Sequence, residues 1–502
     1  MGRRGRMRAV PAAPLPARLG RLLLLAALAA GLVSCRASDV ALDAPTTTTT
    51  APATTTTTTT APPATGMAGD PGVGDPYFPE LGNGGYDALS YHIDLEWLPD
   101  NGSIDATTTI ELTPTVDLRS FNLDLVGLDV SLVAVDGVDV GFRRSGREMT
   151  VLPESVLPAG EAVTVAVSYA GRPQPISLGS DVFGAGWQTD GREAYVVSEP
   201  AGAASWFPAN DHPTDKALFT FELTTAPDQV GVANGVLVEE RPEPDGRRTW
   251  VWRAADPMAT YLASIVVGDL VIERTTAPTG LALRDAYPPE HAAPAQELFA
   301  RTGEMVATFE EWFGPYPFEV YGHVVVDEAL GFALENQTLS LFGTDLLGAG
   351  GAGERTVAHE LAHQWYGNAV SPASWRDIWL NEGFATYAEW IWLQEAYGQP
   401  IERSAERAHA GADYGVAPGD PGNEELFQPT VYIRGGLALH ALSVEMGDEA
   451  FRALLREWPQ RFHDSTASTE DLRALAEELS GQDLATVFDD WVHGTELPPF
   501  PT

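Results

Sequence analysis

The sequence predicts a multidomain protein in which an all-β domain is followed by an α+β domain made largely of helices. Two observations predict this order. From about residue 88 to residue 274, apolar residues recur at every second position, as in Tyr91–Trp97 and Ala217–Leu223, which is the spacing of half-buried strands. Beyond that stretch the spacing becomes that of amphipathic helices, beginning with Thr302–Phe313. The length of 502 residues is sufficient for two domains with cores of their own.

The chain begins with a segment typical of export. Residues 1–34 carry six arginines and no acidic residue. Their apolar run, Leu22–Val33, is too short to span a bilayer but fits the hydrophobic region of a signal peptide. The run ends in L-V-S-C, which resembles a bacterial lipobox and implies cleavage before Cys35 and lipidation of that residue. We therefore expect an exported protein, lipid-anchored at the outer face of a bacterial cell membrane; an ordinary signal peptide with an incidental cysteine is the alternative.

Residues 35–75 are predicted to form a stalk. The threonine runs Thr46–Thr50 and Thr54–Thr60 are interleaved with alanine and proline, a composition that cannot build a core and favours an extended chain. Such a stalk would hold the folded domains away from the membrane. Residues 76–274 are assigned to the N-terminal β domain and residues 275–502 to the second domain.

The composition excludes several kinds of partner. The formal net charge is −40 and Lys216 is the only lysine, so nucleic acid and anionic membrane surfaces are poor partners. Contact with the membrane is expected only through the lipid anchor. Cys35 is the only cysteine, which excludes an intrachain disulfide. We expect the protein to be a monomer.

Turn signals and periodicity place the individual elements. In the β domain, Asp136-Gly137 and Asp245-Gly246 separate the alternating runs and favour antiparallel sheets. In the second domain the sequence predicts a strand at Tyr321–Asp327, a helix from about Glu354 and a further helix containing Glu382. Additional helical patterns occur near residues 432–446, 449–458, 469–479 and 484–492.

One helix of the second domain carries a candidate metal site. His359 and His363 are four residues apart, so a helix places both imidazoles on one face, within reach of a single tetrahedral zinc ion. Glu360 lies beside them, where it can contact a metal-bound water without binding the metal. Glu382 follows after eighteen intervening residues, and as a third ligand it leaves the fourth position open for water or substrate. The alternative is an ordinary helix whose histidines serve as caps or salt-bridge partners.

Several separated segments together resemble one protein family. They are the histidine motif, W-L-N-E-G-F-A from Trp379, G-F-A-L-E-N from Gly331, V-Y-I-R-G from Val431, and S-E-P with W-F-P-A-N-D-H-P between Ser198 and Pro213. In this order they resemble the zinc aminopeptidases of the alanyl-aminopeptidase family, over roughly residues 85–499. The resemblance implies a saddle-like β domain followed by a thermolysin-like catalytic domain, one zinc ion, and peptide substrates with a free N-terminus.

The resemblance also implies a role for each residue that matches a motif of the family. The implied roles are zinc ligation by His359, His363 and Glu382, general-base catalysis by Glu360, oxyanion stabilisation by Tyr432, and substrate binding by Glu335, Glu199 and Ala333. The chemistry agrees with these roles, because the α-amine of a peptide has a pKa of about 7.7–8.0 and is largely cationic at neutral pH. Carboxylates beside the metal would select that end of a peptide.

The sequence departs from the family in one loop and at its C-terminal end. Phe332 stands where the family usually has glycine, and Leu334 replaces methionine, in the loop that approaches the substrate. The sequence also ends at Thr502, soon after what resembles the end of the catalytic domain, so we expect no C-terminal helical domain and a more open site.

Three alternative functions follow from the same residues. The first is an endopeptidase of thermolysin type, which an open site would favour. The second is an epoxide hydrolase, an activity that the resemblance also implies for one branch of the family. The third is a catalytically silent surface-binding protein, against which the intact set of His359, Glu360, His363, Glu382 and Tyr432 argues.

Overall fold

The structure is a computed structural model that describes residues 66–177, 184–412 and 414–501. The predicted signal peptide, Cys35 and the threonine runs lie outside these residues. The strands are β1 (Met67–Ala68), β2 (Tyr86–Leu98), β3 (Ser103–Pro114), β4 (Leu118–Asp124), β5 (Asp129–Val135), β6 (Val138–Asp139), β7 (Gly141–Ser145), β8 (Glu148–Leu152), β9 (Val163–Gly171), β10 (Gly186–Thr189), β11 (Ala194–Val197), β12 (Leu218–Thr225), β13 (Val230–Ala233), β14 (Val236–Pro242), β15 (Arg248–Arg253), β16 (Ile265–Gly268), β17 (Val271–Thr276), β18 (Ala282–Tyr287), β19 (Val320–Val325), β20 (Ala333–Leu334), β21 (Ser340–Phe342), β22 (Val370–Pro372) and β23 (Ser465–Ala467). The α-helices are α1 (Ala292–Phe299), α2 (Thr302–Phe313), α3 (Gly351–Ala362), α4 (Trp379–Tyr397), α5 (Ile401–His409), α6 (Gly435–Met446), α7 (Asp448–Arg461), α8 (Thr469–Ser480) and α9 (Ala485–Phe488).

The largest sheet of the N-terminal domain has eight strands in the order β14-β15-β12-β2-β3-β9-β5-β6. Strand β2 has the predicted alternation, because Ile93, Leu95 and Trp97 are buried while the residues between them are more exposed. In the neighbouring strand β12, the ring of Phe219 stacks on Tyr91 with the centroids 5.0 Å apart. Such cross-strand aromatic pairs stabilise the centre of a sheet.

The prediction of antiparallel sheets was wrong at the centre of this sheet. Strand β12 runs parallel to β2, with Leu218 opposite Ser90 and Thr224 opposite Glu96. Strand β1 also runs parallel to β4. Because β2 and β12 are far apart in the sequence, no hairpin turn joins them and no local signal fixes their relative direction.

Two four-stranded sheets complete the N-terminal domain, in the orders β1-β4-β8-β7 and β10-β11-β16-β13. The second of these positions a predicted site residue, since Glu199 follows β11 by two residues. Buried aromatic residues join this region to the large sheet, and Phe207 packs edge-on against Tyr91 with ring centroids 5.6 Å apart. The β domain therefore holds Glu199 on a packed support.

The second domain begins with a five-stranded sheet in the order β17-β18-β19-β21-β20. The predicted boundary between residues 274 and 275 falls inside β17, which pairs with β18 along its whole length. Strand β20 lies at the opposite edge, where Leu334 is opposite Leu341 and Ala333 is opposite Phe342. This pairing fixes the register of the loop that contains Phe332.

The helices follow the predicted pattern, except that α1 and α5 were not predicted. The predicted helix Thr302–Phe313 is confirmed as α2, and α3 and α4 carry the histidine motif and Glu382. Helix α5 is hard to recognise in the sequence because its apolar face consists only of Ile401, Ala405 and Ala408, and most of its other residues are charged. Within the residues that the structure describes, no helix has the length and apolar character needed to cross a bilayer.

Two glycines allow the close approach of α4 and α6. A Cβ added at Gly383 would lie 2.8 Å from the carbonyl carbon of Gly435, and one added at Gly435 would lie 2.8 Å from Cα of Gly383. These separations are far below van der Waals contact, so any side chain at either position would force the helices apart. The contact places Glu382, beside Gly383, next to the turn that precedes α6.

The segment before β2 is part of the folded structure. Residues 66–75, which the sequence assigned to the stalk, include β1 and end at the buried Asp75. One carboxylate oxygen of Asp75 accepts hydrogen bonds from the hydroxyl of Ser374 and the amide of Trp375, both at 2.9 Å. His212 lies 3.3 Å from the same oxygen. The carboxylate thus joins this segment to the turn that precedes α4 and to the β domain.

Replacing Asp75 by Asn should destabilise the protein in a pH-dependent manner. Burial acts to raise the pKa of Asp75, but the hydrogen bonds from His212, Trp375, Phe78 and Tyr77 outweigh it and hold the pKa well below its ordinary value. The carboxylate therefore contributes stability above its unfolded pKa of about 3.9, and that contribution is lost as the pH falls toward the folded pKa. We expect Asp75→Asn to cost about 1.5–3 kcal/mol at neutral pH.

The measurement is urea unfolding of the wild type and the variant across the acidic range. The difference in unfolding free energy should shrink below about pH 4. A difference that stays constant across that range would show that the negative charge of Asp75 is not its source.

Candidate active site

Helices α3 and α4 bring the three predicted metal ligands to one point. His359 lies in the last turn of α3, His363 directly follows that helix, and Glu382 lies in the first turn of α4. Nε2 of His359 is 3.1 Å from Oε2 of Glu382, and Nε2 of His363 is 3.5 Å from the same oxygen. All three side chains are buried, and one ligand atom from each lies within 4.8 Å of the others. The three can therefore bind a single ion.

The second ring nitrogen of each histidine is bound to an oxygen. Nδ1 of His363 lies 3.1 Å from the carbonyl oxygen of Tyr366, and Nδ1 of His359 lies 2.9 Å from Oε1 of Glu389. A carbonyl oxygen can only accept, so Nδ1 of His363 carries the hydrogen and Nε2 keeps its lone pair. The carboxylate of Glu389 favours the same tautomer of His359. Both imidazoles thus direct a free lone pair at the metal position.

Glu389 contacts His359 and borders the candidate site, but the sequence did not single it out. It lies seven residues after Glu382 on α4, two turns along the same face of the helix. That spacing is the signal by which it could have been found. Its other carboxylate oxygen is 3.7 Å from Nε of Arg355, so the carboxylate is held between α3 and α4.

The donor set fits a zinc ion. Tetrahedral zinc with bonds of about 2.0–2.1 Å places neighbouring ligand atoms roughly 3.3 Å apart. The two separations to Glu382 are 3.1 and 3.5 Å. Burial acts to raise the pKa of Glu382, but attraction to His363 and His359 outweighs it and lowers that pKa to about 2, so the carboxylate is ionised. Two imidazoles and one carboxylate form a three-ligand set of the catalytic type.

Glu199 and Glu335 add two carboxylates beside the metal ligands. One oxygen of each lies within 4.8 Å of a carboxylate oxygen of Glu382. Each also has a buried Oε1 with no hydrogen-bond partner among the described residues. Burial, and then repulsion from neighbouring glutamates, raises the pKa of Glu199; burial also raises the pKa of Glu335. A buried carboxylate oxygen without a hydrogen-bond partner is costly, so this point in the structure favours a bound cation.

Glu360 and Tyr432 approach the same centre from different elements. Carboxylate oxygens of Glu360 and Glu335 and a ring nitrogen of His363 lie within 4.8 Å of one another. Burial raises the pKa of Glu360 to about 8, and a dication at the metal position would lower it. The ring of Tyr432 lies 5.9 Å from the ring of His359. Burial and the charge of Glu382 raise the pKa of Tyr432, so its hydroxyl stays protonated and can donate.

Tyr432 is presented by a π-helical turn, Thr430–Arg434, directly before α6. The wider turn shifts side chains out of the ordinary helical register, and such turns are frequent at functional sites. Arg434 at the end of the turn is fully buried and donates to the backbone carbonyls of Val416, Gly494, Thr495 and Glu496. The arginine fixes the turn, and with it Tyr432, to the neighbouring segments.

The structure brings all the residues singled out from the sequence to one cavity of about 270 Å³. Their individual roles remain predictions. The lining consists of Glu199, Phe332, Ala333, Leu334, Glu335, Thr356, His359, Glu360, His363, Glu382, Glu389 and Tyr432. Phe332 and Leu334, the two departures from the family pattern, therefore both border the cavity. Glutamates dominate its polar surface, and no lysine or arginine lines it among the described residues.

The fold and the donor set together define a class of protein. A five-stranded sheet, a helix with the H-E-x-x-H motif and a glutamate on the next helix are the features of thermolysin-like zinc metallopeptidases. Two family descriptions match the sequence in order. The Peptidase M1 N-terminal domain matches residues 87–262, and the Peptidase family M1 domain matches residues 298–491.

Solved structures of one bacterial enzyme are similar over nearly their whole length. The M1 zinc metallopeptidase of Deinococcus radiodurans is 32% identical, with a TM-score of 0.79 over 86% of this chain and 99% of its own. A mutant of that enzyme bound to a Tyr-Ser-Ala substrate is 31% identical, with a TM-score of 0.78 over 86% and 99% of the two chains. The present chain belongs to peptidase family M1.

Curated relatives are longer than this chain. Aminopeptidase 2 of Candida albicans is 26% identical over 442 residues, which are 82% of this chain and 47% of the relative. Aminopeptidase M1-A of Oryza sativa subsp. japonica is 28% identical over 453 residues, which are 81% and 50% of the two chains. The chain thus spans about half the length of these relatives.

Proposed function

We propose that this protein is a zinc-dependent aminopeptidase that binds one zinc ion and removes N-terminal residues from peptides. The observation that carries the proposal is the pair of unpartnered buried oxygens of Glu199 and Glu335 beside the metal ligands. A peptide's α-ammonium is a cation of suitable size for that position, and it is absent from internal peptide bonds. The names of the M1 relatives, which include aminopeptidases, support the same activity.

The edge strand β20 supports a peptide as the substrate. It ends the five-stranded sheet, and both of its residues, Ala333 and Leu334, border the cavity. An edge strand has backbone N–H and C=O groups on its outer side that can pair with an extended chain. A peptide lying along β20 would bring its N-terminus to Glu335, the next residue.

Each residue of the candidate site has a separate role in the proposed reaction. Zinc bound by His359, His363 and Glu382 would polarise the scissile carbonyl and lower the pKa of a coordinated water. The Glu360 carboxylate accepts the proton of the attacking water and passes it to the leaving amine. The Tyr432 hydroxyl donates a hydrogen bond to the oxygen on which negative charge develops.

Acetylation of the substrate's N-terminus should slow cleavage at least about a hundredfold, since it removes the positive charge and adds bulk where the two glutamates lie. Glu335→Ala should narrow this gap, chiefly by slowing cleavage of the free peptide. The measurement is kcat/KM for the free and acetylated forms of one short peptide, with the products identified by mass. Equal values, or cleavage at internal bonds of the acetylated form, would contradict the proposal and favour an endopeptidase.

We also propose that the mature protein is exported and held at the membrane by a lipid on Cys35. The support is the L-V-S-C sequence and the threonine-rich segment that follows it. Cys35→Ser should release the protein from the membrane fraction into the medium. A variant that still fractionates with membranes would contradict the lipid anchor. A protein beginning at Gly66 should retain full activity, because that residue precedes the first strand.

A further inference from the structure

The backbone of Glu335 is held by two side-chain amides from the region of the metal helix. Its carbonyl oxygen accepts hydrogen bonds from Nδ2 of Asn368 at 2.7 Å and from Nε2 of Gln364 at 3.0 Å. Gln364 also accepts at Oε1 from the amide of Thr338, at 2.8 Å. The position of the Glu335 carboxylate relative to the metal therefore depends on where these two amides lie.

Asn368 belongs to a short turn that follows the histidine motif. The backbone N–H of Asn368 donates to the carbonyl of His363 at 3.0 Å, and the backbone N–H of Ala369 donates to the carbonyl of Gln364 at 3.1 Å. The carbonyl oxygens of Asn368 and Ala369 both accept from Nζ of Lys216, at 2.7 and 3.0 Å. Both residues are fully buried, so water cannot readily replace the lysine.

Lys216 is itself held firmly by the β domain. It lies two residues before the start of strand β12, which is next to β2 in the large sheet. The carboxylate of Asp215 accepts from the amide of Ala88 at 3.1 Å, and Ala217 exchanges backbone hydrogen bonds of 3.1 and 2.8 Å with Met258. The ammonium of Lys216 therefore projects from a rigid element of one domain onto a turn of the other.

A lysine suits the geometry of this contact better than an arginine does. Lys216 is the only lysine of the chain, and every other residue with a fixed positive charge is arginine. A compact ammonium with three donors can serve two backbone carbonyls in a narrow space, whereas a planar guanidinium presents a wider fork. Burial lowers the pKa of Lys216 to about 7, but the neutral amine still has two N–H donors, one for each carbonyl.

We propose that Lys216 is a positioning residue for amine recognition, because it holds the turn through which Asn368 fixes Glu335 beside the metal ligands. The inference rests on the proposed aminopeptidase function and extends it to a residue of the β domain outside the cavity. Through this contact, the relative position of the two domains determines how well the enzyme distinguishes a free N-terminus from a blocked one.

The test compares Lys216→Met, Lys216→Arg and Asn368→Ala with the wild type. Lys216→Met should raise KM for a free short peptide about tenfold, while kcat/KM for its acetylated form changes less than about twofold. Lys216→Arg, which keeps the charge and donors, should give an intermediate KM. The double variant Lys216→Met/Asn368→Ala should have a KM for the free peptide close to that of Asn368→Ala alone, because both changes interrupt one chain of contacts. If Lys216→Met folds poorly, the comparison with the wild type is made with Lys216→Arg and Asn368→Ala.

Three further measurements separate positioning from general damage. Bound zinc should be unchanged in each variant, since the turn does not supply a metal ligand. In a Glu360→Gln background, calorimetry should show weaker binding of the free peptide and unchanged binding of the acetylated one. Asp75→Asn is the matched control. It weakens a different contact with the second domain, through Ser374 and Trp375, and should leave the ratio of kcat/KM for the free and acetylated peptides unaltered.

The possible outcomes are distinct. Three results in Lys216→Met would each overturn the role of Lys216. They are an equal loss of kcat/KM on the free and the acetylated peptide, a loss of bound zinc, and an unchanged ratio of the two kcat/KM values. A wild-type enzyme that does not distinguish the two peptides would instead overturn the proposed function. A narrowed ratio with zinc retained supports the inference.

Discussion

Replacing Glu360 by Gln should remove most of the peptidase activity while leaving the metal content unchanged. Glu360 lies beside the metal ligands but directs its carboxylate toward Glu335 and His363 rather than completing the ligand set. Glutamine has nearly the same shape, but its amide cannot accept a proton from water. Loss of a general base typically costs about 10²–10⁴ in rate. We expect kcat to fall by that factor with little change in KM.

His363→Ala provides the contrasting variant. It removes one of the three metal-binding side chains, so both the zinc and the activity should be lost. The measurements are zinc per chain by atomic absorption and kcat/KM on a free peptide, with and without a chelator. Near-normal turnover in Glu360→Gln would contradict its role as the base. Full zinc in His363→Ala would contradict the assignment of the ligand set.

Replacing Tyr432 by Phe should lower kcat by about 10²–10³, which is the usual effect of removing one donor to a developing oxyanion. The substitution deletes only the hydroxyl, and the ring can keep its position over His359 and in the π-helical turn. The ground state of the substrate carries little charge on that oxygen, so KM should change much less than kcat.

Tyr397→Phe is a suitable control for this measurement. That tyrosine is 58% exposed at the end of α4, and its hydroxyl binds Glu354 away from the cavity. It should retain wild-type kcat and KM. If Tyr432→Phe raised KM and left kcat unaltered, the hydroxyl would be a substrate-binding group rather than an oxyanion donor.

The metal site could be predicted from the sequence because its geometry is local. His359 and His363 are fixed on one face by the helical repeat, and Glu382 stands in a motif of its own. The alternation in β2 and the amphipathic stripe of α2 are local in the same sense. Each of these features depends on a few neighbouring residues.

The features that escaped prediction depend on contacts between distant segments. The direction of β12 relative to β2 is set by packing across the sheet, and no turn between them encodes it. The contact between Glu389 and His359 exists only because α3 and α4 lie side by side. Likewise, nothing near Lys216 in the sequence indicates that its ammonium meets the carbonyls of residues 368 and 369.

The contact between Gly383 and Gly435 limits which positions of this enzyme tolerate amino-acid substitution. No side chain separates the two helices there, so nothing can repack to accommodate a substitution at either glycine. The predicted metal ligand Glu382 and the turn that carries Tyr432 are consequently held in a fixed position relative to each other. Phe332 and Thr356 border the same cavity without being part of that contact. A library that seeks new substrate preferences should therefore randomise those two positions and leave both glycines untouched.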